Sequence, residues 1–99
     1  MAIRIDPEQN ETRALERLYP VLTGRSVLEI GSGDGRLTWR YADRAARVVV
    51  IEPDEDKHAT ALAGRTSAFD HVEFLNLDLE AYFQQCQERF DLAILSWSL

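Results

Sequence analysis

The stretch that decides the fold is Val27-Leu28-Glu29-Ile30-Gly31-Ser32-Gly33-Asp34-Gly35-Arg36-Leu37-Thr38. It begins with an apolar run typical of a strand that is buried on both faces, and three glycines follow within five residues. A sequence compatible with a helix comes after the glycines. We therefore predict a strand over 26–30, a loop over 31–35 and a helix over about 35–46, which together form a strand–loop–helix unit.

Further strands and helices alternate along the chain on both sides of this unit. The clearest strand is the β-branched run Val48–Ile51, which leads directly into Glu52. Alternating strands and helices imply parallel strands whose connecting helices cover both faces of one sheet, so the predicted class is α/β with a doubly wound parallel sheet. The later strands are predicted at 48–52, 72–76 and 91–96, and the other helices at about 6–19, 54–65 and from residue 79.

Two of these helix predictions rest on particular residues. Asp6 can cap a helix and Pro7 suits its first position, while Pro20 disfavours helical conformation at Tyr19, so the first helix should end near Tyr19. The last helix is predicted to be amphipathic, because apolar residues recur at helical spacing. Its apolar face consists of Leu79, Tyr82, Phe83 and Cys86.

Composition excludes several classes of function. The net charge of −6 argues against a nucleic-acid partner, since phosphate neutralisation needs an excess of Lys and Arg. No apolar run is longer than the four residues of Val48–Ile51, which is far too short to cross a membrane, so we expect no membrane partner. Cys86 is the only cysteine and leaves no internal disulfide, which fits a cytoplasmic protein. Two histidines and one cysteine, widely spaced, predict no metal site.

The glycine loop is a candidate cofactor cradle. Glycine accepts positive φ angles and lets a ligand approach the backbone closely, although a tight turn that binds nothing is the alternative. The dinucleotide fingerprint G-x-G-x-x-G would place its third glycine at Arg36, whereas the third glycine here is Gly35. Glu29 lies two residues before Gly31, near the carboxyl end of its strand. A pyrophosphate has no use for a carboxylate there, but a ligand with a cationic amino group does.

Two further acids follow the ends of predicted strands. Glu52 comes 21 residues after Gly31, which is the spacing of the carboxylate that accepts hydrogen bonds from ribose hydroxyls in adenosine-binding folds. An acid that merely begins the next loop, together with Pro53, is the alternative. Asp78 follows the third predicted strand, where a role as helix cap is compatible with a ligand contact.

The segment Val27–Gly35 resembles, position by position, the first motif of the Rossmann-like S-adenosylmethionine-dependent methyltransferases. The resemblance implies that the loop wraps the methionine end of S-adenosylmethionine and that Glu29 contacts its ammonium group. It also implies that Glu52 binds the ribose, that Asp78 accepts from the adenine amino group and that Leu79 lies beside the ring. The implied cofactor-binding set is Glu29, Gly31, Ser32, Gly33, Gly35, Glu52, Pro53, Asp78, Leu79 and Ser96, the last of which would face the reactive methyl group.

The resemblance also implies the strand order. In the family the first four strands lie in the order 3-2-1-4, and the strands that follow them are absent here. Residues 1–99 are therefore interpreted as the cofactor-binding half of a methyltransferase domain, truncated to four strands with flanking helices. The strand over 91–96 would then be a bare apolar edge, which a second copy of the chain or a missing C-terminal half would cover.

The predicted activity is methyl transfer from S-adenosylmethionine to a small-molecule acceptor. The chain end after the fourth strand lacks the Asp/Asn-Pro-Pro-Tyr pattern that related enzymes use to hold a planar nitrogen, which argues against methylation of DNA adenine or glutamine. No residue is predicted to be catalytic. Two alternatives stay open, namely the nucleotide-binding half of an NAD(P)-dependent oxidoreductase and a non-catalytic interaction module of the same fold.

Overall fold

The computed structural model describes residues 2–5, 17, 19–31, 35 and 37–96, and their strands form one parallel sheet. The strands are β1 Ala2–Ile5, β2 Ser26–Ile30, β3 Arg47–Ile51, β4 Val72–Leu75 and β5 Leu92–Ser96. The α-helices whose bounds lie within the described residues are α1 Thr38–Tyr41, α2 Glu55–Ala63 and α3 Leu79–Gln85, and residues 17 and 19–22 are also helical. Short 3-10 turns at Ala42–Arg44 and Ser67–Phe69 lead into β3 and towards β4.

The spatial order of the strands is β1-β5-β2-β3-β4. Ile30 pairs with Leu95 on one side and with Ile51 on the other, and Ile51 pairs with Leu75. The predicted strands 1, 2, 3 and 4 are β2, β3, β4 and β5, so these four strands lie in the predicted order 3-2-1-4. The carboxyl ends of all four are level at one edge of the sheet.

A fifth strand, β1, was not predicted. Ala2–Ile5 pairs in parallel with β5, from Ala2 opposite Ala93 to Ile5 opposite Ser96. The prediction of a bare edge along β5 is therefore wrong, because the segment Ala2–Ile5 pairs with most of that strand.

Two layers of side chains pack against the sheet. One face is covered by α1, α2 and the helical residues 19–22, and its core includes Leu22, Tyr41 and Val50. The other face is covered by α3, whose Tyr82 packs with Leu28, Val49 and Ile51. Successive residues of a strand point to opposite faces, so Glu29 lies on the α1 face between the neighbouring Val50 and Ile94.

The helices near the glycine loop differ from the prediction. Helical conformation continues over residues 19–22, beyond the predicted end at Tyr19, because Leu22 is fully buried in the core and burial outweighs the local effect of Pro20. The rest of the predicted first helix, over 6–16, lies outside the described residues. The predicted helix over 35–46 is shorter than expected, since α1 has four residues before a 3-10 turn and Arg47 already begins β3.

The apolar face of α3 is narrower than predicted. Tyr82 is buried, with Leu79 and Cys86 packed beside it, whereas Phe83 is 62% exposed. Phe83 lies at the margin of the apolar stripe of α3, outside the residues that pack on the sheet. The prediction that Phe83 belongs to the buried face is therefore wrong.

An ion-pair cluster lies at the amino end of β3, opposite the edge where the glycine loop begins. The Arg47 guanidinium donates to both carboxylate oxygens of Glu88, at 2.6 and 2.9 Å, and to Glu73 at 3.0 Å. The hydrogen bonds from Arg47 hold the pKa of the Glu88 carboxyl below its usual value. The cluster ties the segment after α3 to the sheet. Among the described residues, no helix combines the length and apolar character that a membrane crossing requires.

Candidate functional site

Four residues form a row at the carboxyl edge of the sheet, and each lies at the end of one of the four predicted strands or directly after it. Across the sheet this row runs Ser96, Gly31, Glu52 and Asn76, each directly after one of the level residues Leu95, Ile30, Ile51 and Leu75. Two backbone bonds extend the ladder into it, from Gly31 N to Ile51 O at 2.9 Å and from Glu52 N to Leu75 O at 3.0 Å. Neighbouring strands lie about 4.8 Å apart, so the row spans about 14 Å.

The ends of the glycine loop have geometry that requires glycine. Gly31 and Gly35 have φ angles of 75° and 87°, a region that side chains other than glycine rarely adopt. A Cβ on Gly35 would lie 3.1 Å from the Ala61 Cβ and 3.2 Å from the Trp39 indole nitrogen. Gly35 therefore also permits close packing against α2. Ser32 and Gly33, two members of the predicted set, lie outside the described residues.

Glu29 is fully buried, and two hydroxyl groups of α1 hold its carboxylate. The Thr38 hydroxyl and the Tyr41 phenol each donate to Glu29 Oε1 at 2.6 Å. Hydrogen bonds of this length to a carboxylate are characteristic of strong, charge-assisted contacts. Both donors are neutral hydroxyl groups, and together they orient the carboxylate.

The environment of Tyr41 reflects the same contact. Burial raises the pKa of the Tyr41 phenol well above its ordinary value, and the charge of Glu29 and the hydrogen bond to it act in the same direction. The phenol therefore remains protonated and remains a donor to Glu29 throughout the neutral range.

Glu52 is almost completely buried and anchors the loop between β3 and α2. Its Oε2 accepts from the backbone N–H of Asp54 at 2.9 Å. The Asn76 amide donates to the Glu52 carbonyl at 2.9 Å and to the Pro53 carbonyl at 3.2 Å, so the ends of β3 and β4 are joined by a side chain. Pro53 itself is exposed at the edge.

Asp78 caps α3, as one of its two predicted roles requires. Its Oδ1 accepts from the backbone N–H of Ala81 at 2.7 Å, and the residue remains exposed. Leu79 follows as the first helical residue and is half-buried against the α3 face of the sheet. Asp78 and Leu79 thus lie two and three residues beyond Asn76, at the β4 end of the row.

The structure brings most of the predicted set to one edge. Gly31, Glu52 and Ser96 are in the row itself, and Glu29 lies beneath it on the α1 face. Sequence reasoning missed three polar residues at this site, namely Thr38, Tyr41 and Asn76. A signal existed for the first two, because residues 38 and 41 share one helix face and Glu29 needs donors wherever it is buried.

These residues fit S-adenosylmethionine chemically. A carboxylate that neutral donors orient is suited to a cationic amino group, and a strand-end acid is suited to a ribose diol. The chain also matches the methyltransferase domain family over residues 27–99. The chain belongs to this family. Family membership implies S-adenosylmethionine as the cofactor of this methyltransferase domain.

The methyltransferase domain is also similar to individual proteins. A ubiquinone biosynthesis O-methyltransferase of Pseudomonas fluorescens (strain Pf0-1) is 32% identical over 71 residues, which are 72% of this chain and 31% of that protein. The chain thus spans about a third of the length of the curated relatives that it matches.

Solved structures share the fold. An S-adenosylmethionine-dependent methyltransferase from Mesorhizobium loti superposes with a TM-score of 0.70 at 24% identity, over 93% of this chain and 42% of that one. A tRNA (m1A58) methyltransferase from Aquifex aeolicus gives 0.64 at 23% identity, over 87% of this chain and 36% of that one. The sheet of the methyltransferase domain is therefore of the Rossmann-like kind.

Proposed function

We propose that this domain binds S-adenosylmethionine across the carboxyl edge of β2, β3 and β4 and serves methyl transfer to a small-molecule acceptor. The observation that carries the proposal is the order of the site residues along the sheet. The glycine loop and Glu29 belong to β2, Glu52 follows β3, and Asp78 follows β4. The methionine, ribose and adenine parts of the cofactor are joined in that same order.

Each proposed contact uses a chemical property of the side chain. The Glu29 carboxylate receives the ammonium group, and the backbone of the glycine loop surrounds the methionine end. Glu52 accepts from the ribose hydroxyls, while Asp78 accepts from the adenine amino group through the oxygen that does not cap α3. Leu79 and Pro53 provide apolar surface beside the adenosine. When bound, S-adenosylmethionine supplies an electrophilic methyl group on a sulfonium centre.

The acceptor side of the proposal rests on β5 and on the relatives. Ser96 lies in the row on the side of β2 away from the adenosine end, so it is proposed to face the methyl group. The curated relatives are named O-methyltransferases, which supports an oxygen atom of a small molecule as the acceptor. The acidic net charge argues against a nucleic-acid acceptor. The lone Cys86 supports a cytoplasmic location.

The experiment is a calorimetric titration of the folded chain with S-adenosylhomocysteine, in parallel with NADH. We expect S-adenosylhomocysteine to bind and NADH not to bind. Glu52→Gln removes a charged acceptor of two ribose hydroxyls and should weaken binding about 10- to 100-fold. Glu55→Gln is the matched control, because it makes the same change at an exposed acid of the first turn of α2.

The possible outcomes separate the candidate functions. Equal weakening by Glu52→Gln and Glu55→Gln would mean that net charge, and not a ribose contact, controls binding. Preference for NADH would favour the oxidoreductase alternative. A folded chain that binds neither ligand would contradict the proposed cofactor site.

A further inference from the structure

The contact between Glu29 and α1 is unusual for a position in the core. Val50 and Ile94, which pair with Glu29 on either side, are fully buried aliphatic residues. Packing at this level of the sheet therefore needs no carboxylate. Burying a charged group is unfavourable unless donors compensate it, and replacing such a group together with its partners by apolar side chains of similar volume is often neutral or stabilising.

The two donors belong to the element that leaves the glycine loop. Trp39 N donates to the Gly35 carbonyl at 3.1 Å, so α1 is hydrogen-bonded to the end of the loop. Thr38 and Tyr41 are three residues apart and share one helix face, from which both hydroxyls converge on a single oxygen, Glu29 Oε1. The strand that enters the loop and the helix that leaves it are thereby joined through Glu29.

Convergence on one oxygen restricts the orientation of the carboxylate. Two short hydrogen bonds to Oε1 limit the rotation of the planar group and therefore the direction of Oε2. A site that is oriented before the ligand arrives binds more tightly, because less conformational freedom is lost on binding.

We propose that Thr38 and Tyr41 are positioning residues for recognition of the charged amino-acid end of the cofactor, and that they act by orienting Glu29. The inference rests on the proposed function, since Thr38 and Tyr41 hold Glu29, which is itself proposed to contact the cofactor. It names a specific subset of ligands, namely adenosine derivatives that carry a cationic amino group.

The test compares two ligands that differ only at that end. S-adenosylhomocysteine carries the amino-acid group, whereas 5′-methylthioadenosine shares the adenosine and the sulfur but lacks it. Calorimetric affinities for both ligands are measured for the unmodified chain, Tyr41→Phe, Thr38→Val and Thr38→Ser. Thr60→Val is the matched control, because the Thr60 hydroxyl donates to the Asp56 carbonyl of its own helix, at 3.0 Å.

Loss of either hydroxyl should weaken S-adenosylhomocysteine binding about tenfold, as for loss of one hydrogen bond to a charged group. Affinity for 5′-methylthioadenosine should change less than about twofold, as should both affinities in Thr60→Val. Thr38→Ser, which keeps a hydroxyl, should retain the affinity of the unmodified chain. Circular dichroism establishes that each variant is folded, and Tyr41→Phe and Thr38→Val change the side-chain volume little.

Three results would overturn the inference. Parallel weakening of both ligands would show that the hydroxyls maintain the fold of the loop and do not select the amino-acid end. Unchanged affinity in Tyr41→Phe and Thr38→Val, with binding intact in the unmodified chain, would refute the inference and leave the proposed function standing. Failure of the unmodified chain to bind either ligand would refute both.

Discussion

Gly35 has two separate reasons to be glycine, and a substitution can measure their sum. Its φ angle is 87°, and a Cβ would lie 3.1 Å from the Ala61 Cβ and 3.2 Å from the Trp39 nitrogen. We expect Gly35→Ala to lower the free energy of unfolding by about 2–3 kcal/mol, through backbone strain together with displacement of α2. Urea unfolding followed by circular dichroism measures the loss.

Gly24 provides the matched control for that prediction. Its φ angle is 72°, but nothing lies within 4 Å of a Cβ built there. Gly24→Ala should therefore cost only the backbone part, about 1 kcal/mol. Equal losses in the two variants would show that the close approach between Gly35 and α2 contributes nothing.

Tyr41 predicts how stability depends on alkaline pH. Burial beside Glu29 raises the pKa of the folded Tyr41 phenol, so above the ordinary tyrosine pKa the unfolded chain loses a proton that the folded chain keeps. The contribution of the protonated Tyr41 phenol to the free energy of unfolding is complete below about pH 10. It is lost as pH rises towards the folded pKa, at about 1.4 kcal/mol per pH unit. Tyr41→Phe should remove this slope. An identical alkaline slope in both proteins, measured by urea unfolding at pH 9–11, would contradict the assignment.

At the scale of elements, α2 and α3 have the same kind of cap but different predicted roles at the site. Asp54 Oδ1 accepts from Lys57 N at 3.0 Å, and Asp78 Oδ1 accepts from Ala81 N at 2.7 Å. Replacing either aspartate with alanine should lower the free energy of unfolding by about 1 kcal/mol. Only Asp78→Ala should also weaken S-adenosylhomocysteine binding, because only Asp78 is proposed to accept from the adenine. Equal affinities in the two variants would reduce Asp78 to a cap.

Most elements could be predicted because their signals are local. The apolar run ending at Ile51 predicts its strand, and Asp78 predicts the start of α3, each from a few neighbouring residues. Phe83 could not be assigned correctly, since its exposure depends on how much of the sheet α3 covers. Pro20 likewise marks a local preference that the burial of Leu22 overrides. Predictions failed where packing between distant segments decides the outcome.

The candidate site, too, has features that local sequence predicts and features that depend on packing between distant segments. Gly31 and Glu52 could be predicted as neighbours because alternating strands and helices bring their strand ends to one edge. The amide of Asn76 could not be foreseen as the link to Glu52, because the two residues are 24 positions apart and the contact depends on the register of β3 with β4. Thr38 and Tyr41 share one helix face, which is a local signal, but the packing of α1 on β2 decides that this face meets Glu29.

At the scale of the whole molecule, pairing of β1 with β5 decides which edge of the sheet is exposed. The β5 segment Leu92-Ala93-Ile94-Leu95 carries no charge, so removing β1 would leave an unpaired apolar edge. A chain shortened by residues 1–5 should therefore self-associate at concentrations at which the full chain is monomeric. Size-exclusion chromatography with light scattering measures the change in mass.

A second substitution distinguishes edge pairing from general loss of stability. Leu95 is 39% exposed, so Leu95→Lys places a charge on β5 without burying it. Charged residues on an exposed strand disfavour pairing between edges, so the shortened chain with Leu95→Lys should return towards the monomeric mass. If the shortened chain stays monomeric without that change, β1 does not protect β5. If it associates equally with and without Leu95→Lys, association occurs through another surface, for which exposed Phe83 on α3 is the natural next substitution.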